Sequence, residues 1–250
     1  MIRNATPADL PQIRAINTHY ILNTVLTFMQ TPPPPGAILT KYNEIKTHGL
    51  PYFVAVDDEL KYEDSSGLIL GYAYLSPYRG HMLSYASTVE LTLFVHPEHQ
   101  SKAVGSKLLA AILKAAESGF LYHCHVYEST GSDEDQRTVF AGDNEMGVPV
   151  RNILAVMAVD PNGPDGGDAL RRWYITRGFV ERGRLEKIGF KNGLCMRLNQ
   201  RINNRNPNPN PNPMNWHHED WASMRFLVGA HNASGWLRSN VLLTLFLSKD

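Results

Sequence analysis

Residues 88 to 95, TVELTLFV, alternate without a slip: Val89, Leu91, Leu93 and Val95 fall on one side, Thr88, Glu90, Thr92 and Phe94 on the other. A period of two is that of a strand with unlike faces, and Pro97 closes it because proline cannot donate to a ladder. Upstream, LPYFVAV and LILGYAYL are rich in β-branched and aromatic residues, and the polar DDELKYEDSSG between them predicts an antiparallel hairpin. From Gly105 the period changes. Leu108, Leu109, Ile112, Leu113 and Ala116 share one helical face, and Gly119 supplies a C-cap. At the N-terminus, IRN predicts a short strand, followed by Thr6 as N-cap, Pro7 at the first helical position and Asp9 completing a capping box. Leu10, Ile13 and Ile16 line that helix, and the TPPPPG run at 31–36 is expected to end the helical region. FLYHCHVY and NILAVMAVD (152–160) read as further strands, and DALRRWYITRGF as a helix running into a Gly-Phe turn.

This pattern fades near residue 200, where NNRNPNPNPNPMN replaces the mixture of apolar and charged residues with a sequence that cannot bury a core. The chain thus reads as two segments: a domain over 1–200 with a polar insertion at about 128–150, and a low-complexity tail over 201–250, expected to be disordered. Lys plus Arg number 24, as do Asp plus Glu, so no net field draws the chain to nucleic acid or anionic lipid. The longest apolar run of the tail, NVLLTLFLS, falls short of the roughly 20 residues of a membrane span. Two cysteines, Cys124 and Cys195, and no apolar signal core behind MIRNATPADL lead us to expect a cytoplasmic protein with reduced thiols. The histidines of YHCHVY and the tail's WHHEDW match no standard zinc spacing.

The chemistry concentrates in the loop QSKAVGS, 100–106, between strand and helix. Successive backbone N–H groups and the positive helix end make an anion site there, to which Lys102 adds a mobile charge. It has neither the Gly-Lys-Ser/Thr ending of a P-loop nor the three spaced glycines of a Rossmann fingerprint. Read from spacing alone, Glu90 fits a solvent-facing strand position as well as a catalytic one, Tyr174 fits an aromatic packed beside Trp173, and Phe28 fits ordinary core or edge packing.

The order strand, helix, hairpin, TVELTLFVHPEHQSKAVGSKLL, strand, LRRWYITRGF resembles the GCN5-related N-acetyltransferases (GNAT), whose loop follows Gln/Arg-x-x-Gly-x-Gly/Ala. Gln100, Ala103 and Gly105 stand at its three fixed positions. GYAYLSPYR, GLPYFVAV and RGFVERGRLEKIGFKNG are similar, more narrowly, to the phosphinothricin and methionine sulfoximine acetyltransferase branch, over about residues 2–193. The resemblance implies a mixed α/β (α+β) GNAT fold: a central sheet of antiparallel and parallel strands, flanked by helices, its central strands splayed. It implies acetyl-CoA as co-substrate and no metal. Leu93, Phe94, Val95 and the loop residues Gln100, Ser101, Lys102, Ala103, Val104, Gly105 and Ser106 would hold the acetyl-CoA, with Asn162 on the pantetheine arm. Glu90 matches the base of the family's Val-Glu motif and Tyr174 the proton donor to the leaving thiolate.

Arg79 matches an arginine that holds an amino-acid carboxylate, while His81 replaces a second one, trading a bidentate fork for an imidazole. Phe28, Tyr85 and Thr88 match pocket-lining positions. The implied partner is a small-molecule amine, with no nucleic acid or membrane and with room for a homodimer. Neither cysteine lies in a matched motif, which favours direct attack in a ternary complex. Ala103 departs from the family's usual glycine, and holding it in a left-handed conformation would cost about 1 kcal/mol. The chain also leaves the branch's pattern at Leu194. There LCMRLNQ either pairs as a shorter strand or leaves a sheet edge open, and the second outcome would fit a catalytically impaired acyl-CoA-binding or interaction protein of the same fold.

Overall fold

The computed structural model describes residues 1–60, 67–79, 82–117, 122–123, 148–191 and 194–203; along 194–203 and at 83, 117, 122–123, 186–188 and 190 it describes backbone alone. Expectations for His81, Gly119, Cys124, His125, the insertion before Val148 and the tail from 204 lie outside those residues. The sheet and its helices belong to one compact unit within Met1–Pro209.

Capping chemistry sets the N-terminal architecture. After β1 (Ile2–Asn4), the Asp9 carboxylate accepts from the Thr6 amide at 2.8 Å, as the capping box predicts, and α1 runs Leu10–Asn23. Asp9 also receives both arms of Arg3, each at 2.7 Å. Burial pushes the Asp9 carboxyl upward, but Arg3 and the Thr6 donors outweigh it, and the net direction is below the usual carboxylate range. A depressed carboxyl contributes stability above its unfolded pKa and loses it as pH falls through the folded value. Asp9→Asn should therefore cost about 1 kcal/mol at neutral pH, discounted because Arg3 is partly exposed. The penalty should vanish in strong acid, as thermal melts across pH would show.

The proline run acts differently from expectation. α1 has already ended at Asn23, and Pro35 opens α2 (Pro35–Thr47) as its first residue. Proline breaks a helix interior, but at the first turn its missing N–H is one that no helical partner would satisfy.

β2 (Tyr52–Asp57) and β3 (Leu68–Pro77) form the expected antiparallel hairpin, and β4 (Thr88–Val95) extends it to an antiparallel meander. α3 (Val104–Glu117) crosses back over it, and beyond the two-residue strands β5 (Tyr122–His123) and β6 (Val148–Pro149) comes β7 (Asn152–Val159), parallel to β4. α4 (Asp168–Ile175), β8 (Val180–Lys191) and β9 (Leu194–Asn203) complete a seven-stranded sheet of order β1-β2-β3-β4-β7-β9-β8. β9 resolves the alternatives left open at Leu194: it pairs with β7 on one side and β8 on the other, up to Ile153 opposite Asn203.

The alternation of β4 becomes two packed faces. Val89 and Leu91 are buried on the side of α3, which contributes Val104, Leu108, Leu109 and Ile112 to the same core. Each such side chain removed from water contributes about 1.5–3 kcal/mol. Gly71 permits this closeness, since a Cβ there would sit 2.7 Å from the Phe94 carbonyl and 3.2 Å from Leu108. On the opposite face Tyr52, Tyr72, Tyr74 and Phe94 form a band of rings 4.8–6.3 Å apart, with Tyr20 of α1 against Phe94 at 4.8 Å. Gln12 pins α1 to the start of β3, donating to Gly67 O at 3.2 Å and accepting from Ile69 N at 2.9 Å.

Candidate active site

β4 and β7 are paired only from Thr88–Asn152 to Leu91–Ala155; beyond that pair the register stops and the strands diverge. Strand β4 thus presents Thr92–Val95 to an opening in the middle of the sheet. The expected splay is present, and the edge of Leu93, Phe94 and Val95 lies along it.

At the mouth of the opening stands the loop. Ser101 has φ 61° and Ala103 φ 59°, both left-handed, with Lys102 between them outside that region. Alternation of hand turns successive N–H groups toward one concave side, a nest for an anion, and the first-turn amides of α3 after Ala103 have no acceptor within the helix. Alanine at 103 is accordingly in the strained conformation its position in the motif suggested. Gly105 faces Val95, Leu93 and Trp173, where a Cβ would find contacts of 3.4–3.7 Å. Ser106 Oγ accepts from Arg177 at 2.9 Å, and the Arg177 guanidinium lies 4.1 Å from the Trp173 ring centre. α4 is thereby clipped to the start of α3.

Gln100 takes no part in the nest; its amide donates to the Tyr20 hydroxyl at 2.8 Å, and that hydroxyl donates to Val95 O at 2.7 Å. Tyr20 was not legible as a site residue, because its partners lie 75 and 80 positions away. Burial pushes its hydroxyl above the ordinary tyrosine pKa, with Gln100 opposing, so it remains a proton donor. Tyr20→Phe should strand Val95 O and the Gln100 amide at about 1–3 kcal/mol, lowering the melting temperature by several degrees in thermal melts.

Glu90 sits one position before the divergence, opposite Ser76 on β3 and Leu154 on β7. It shares its face with Thr92 and Tyr74, under α2. Burial raises its carboxyl above the ordinary glutamate value, and Lys41 pulls weakly the other way. Thr88, on the same face, accepts from Asn152 Nδ2 at 3.3 Å. Tyr85 meets Tyr78 edge to face at 5.3 Å, and Arg79, φ 53°, lays its guanidinium 5.6 Å from the Tyr78 ring centre. These line the β3–β4 connection at the Glu90 end of the strand.

Three expected residues stand apart from this grouping. Tyr174 is buried in the main core, edge to face with Phe179 at 5.1 Å. Phe28 is exposed in the bend after α1, beside Thr27, whose carbonyl accepts from Lys191 at 3.0 Å. Asn162 is exposed in the turn after β7, its backbone N–H donating to Asp160 Oδ1 at 2.9 Å. That turn closes through Gly167, φ 85°, where a Cβ would meet Asp160 O at 2.6 Å.

The left-handed loop, the edge of β4 beyond its pairing with β7 and the Glu90 carboxyl thus follow one another along one strand. A family model for the acetyltransferase (GNAT) domain matches residues 48–141. Phosphinothricin N-acetyltransferase of Alcaligenes faecalis is 27% identical over 192 residues, 77% of this chain and 76% of that one. The L-methionine sulfoximine/L-methionine sulfone acetyltransferase of Salmonella typhimurium is 30% identical over 115 residues, 46% of this chain and 62% of that one. Among solved structures, a GNAT phosphinothricin acetyltransferase from Sinorhizobium meliloti in complex with AcCoA superposes with a TM-score of 0.63 at 22% identity, covering 88% of this chain and 96% of that one. The chain is thus similar to acetyltransferases of the GNAT family, and its fold is theirs. Among the described residues no helix is long and apolar enough to cross a membrane.

Proposed function

We propose that this chain is an acetyl-CoA-dependent N-acetyltransferase acting on the amino group of a small amino acid or analogue of the phosphinothricin or methionine sulfoximine type. The observation that carries the reading is the alignment along β4 of three features: the nest at Ser101–Ser106, the unpaired edge at Thr92–Val95 and the Glu90 carboxyl just before the strands part. The left-handed residues and the first-turn amides suit a pyrophosphate, Lys102 adds charge, and the open strand edge suits the amides of a pantetheine arm.

Bound there, acetyl-CoA would supply an activated thioester carbonyl. The chain's own work is on the amine, which is mostly protonated near neutral pH and must lose a proton to attack. Glu90 takes that proton, directly or through one water. Arg79 meets the substrate carboxylate from the β3–β4 connection, where Tyr85 and Thr88 line the wall. Tyr174, buried against Phe179, is the residue proposed to return a proton to the leaving thiolate.

Pairing of β9 on both sides removes the open edge that would have favoured an impaired binding protein. Thermal shift with acetyl-CoA, followed by thiol release across a panel of amino acids and analogues, tests the whole reading. Stabilisation with release for at least one α-amine supports it. Stabilisation without release for any amine would return the binding-protein reading, and absence of both would remove acetyl-CoA as ligand.

A further inference from the structure

The turn that links β4 to the anion loop carries side chains that acyl transfer does not use. Pro97 fixes its first residue, and a 3-10 turn, at three residues per revolution, brings positions i and i+3 into line. His96 and His99 consequently stand side by side, ring centres 5.2 Å apart. One ligand atom each from His96, Glu98 and His99 lies within 4.8 Å of the others. Both rings are half-buried and Glu98 is exposed.

We propose that His96, Glu98 and His99 form a site for a divalent transition-metal ion of the zinc, cobalt or nickel type, set directly before the anion loop. Two imidazoles and one carboxylate suit these borderline ions, whereas magnesium and calcium prefer oxygen alone. Metal–nitrogen bonds of about 2.0–2.1 Å require the three groups to draw closer than they stand. Rotation of half-exposed side chains accomplishes this, and water completes the coordination.

The site is coupled to the loop through Lys102, whose Nζ lies 3.4 Å from His99 Nδ1. Whether the metal takes Nδ1 itself, or takes Nε2 and leaves Nδ1 protonated, Nδ1 ceases to accept from Lys102. The ammonium is then released toward the nest, and the dication adds its own charge nearby. This coupling rests on the proposal that acetyl-CoA phosphates occupy the nest. Given that, metal and acetyl-CoA should each raise the other's affinity by the same factor.

Calorimetric titration of Zn²⁺ into metal-free full-length protein, without acetyl-CoA, is expected to show a micromolar site that His96→Ala/His99→Ala weakens at least tenfold. Cysteines and histidines elsewhere in the chain would be retained by that variant, so the difference isolates this turn. Equal binding by the double variant, or no wild-type binding tighter than millimolar, overturns the site. Should the double variant fail to fold, Glu98→Gln, on an exposed side chain, is expected to bind several-fold more weakly, and unchanged binding there overturns it equally. Acetyl-CoA titrated with and without saturating Zn²⁺ should bind several-fold tighter with the metal in wild type alone. No change, or the same change in the double variant through chelation by the nucleotide phosphates, overturns the coupling. The first titration contains no acetyl-CoA, so the metal site stands or falls independently of the acetyltransferase reading.

Discussion

Glu90→Gln should lower kcat by about a hundredfold or more near neutral pH, and the loss should shrink as the pH climbs to where the amine deprotonates in solution. The carboxyl is raised chiefly by burial, so the acid limb of the wild-type profile should lie above the ordinary glutamate range and disappear in the variant. The same shift carries a stability consequence of opposite sign. A carboxyl whose folded pKa is raised contributes stability that is present below its unfolded pKa and lost as pH rises through the folded value. At neutral pH the ionised Glu90 is thus a cost to the fold, and glutamine, nearly isosteric and uncharged, should raise the melting temperature. That gain should fade on titration to about pH 4, where both forms are neutral. A variant both slower and more stable is the signature of a group kept for chemistry. An unchanged rate profile would sink the assignment, and a destabilised variant would point instead to a carboxylate held by its neighbours.

What was legible in the sequence was whatever local periodicity and turn chemistry specify. The strict alternation of Thr88–Val95 marked both a strand and its two faces, and burial of Val89 and Leu91 agrees with it. The Thr6–Asp9 capping box and the helix from Val104 were equally local. Helix α2 was not, because PGAILTKYNEIKT buries only Ile45, leaving almost no apolar period, and its prolines read as breakers until their place at the first turn was known. β9 was ambiguous for a different reason: a strand of mixed polarity gains its place from the ladders on either side, β7 and β8, which no local pattern announces. In the site, the loop motif and Glu90 were visible, yet what fixes them was not. Tyr20 to Gln100, Arg177 to Ser106 and Asn152 to Thr88 span 80, 71 and 64 positions. Such hydrogen bonds depend on the sheet order, so they appear only once β4 and β7 lie side by side and α1 and α4 cover them.

At position 103, a series of glycine, alanine and valine should separate backbone conformation from bulk. Ala103 holds φ 59° two residues after Ser101 at 61°, and the alternation of hand, rather than any side chain, forms the nest. For a β-branched residue this region is an outlier, and holding valine there should cost about 1–2 kcal/mol. Since about 1.4 kcal/mol is tenfold in an equilibrium constant, that cost of about 1–2 kcal/mol means Ala103→Val should weaken acetyl-CoA binding roughly five- to thirtyfold. It should do so without a large fall in melting temperature, because the strained loop can relax while Val104, Leu108 and Ile112 stay buried. Ala103→Gly is expected to behave otherwise. A loop left-handed at 103 throughout carries the same strain with and without acetyl-CoA, so the strain cancels from Kd; in the melt, its relief is offset by the greater freedom glycine gives the unfolded chain, about 0.4–1 kcal/mol. The expected order of Kd is therefore glycine near alanine, both far below valine. kcat at saturation should barely move, because phosphate contacts act alike in ground and transition states. Calorimetric titration of the three proteins checks the order. Valine binding as tightly as alanine would show that the nest does not hold the phosphates, and a glycine variant binding many-fold tighter would show that the alanine methyl, not the backbone, limits their approach.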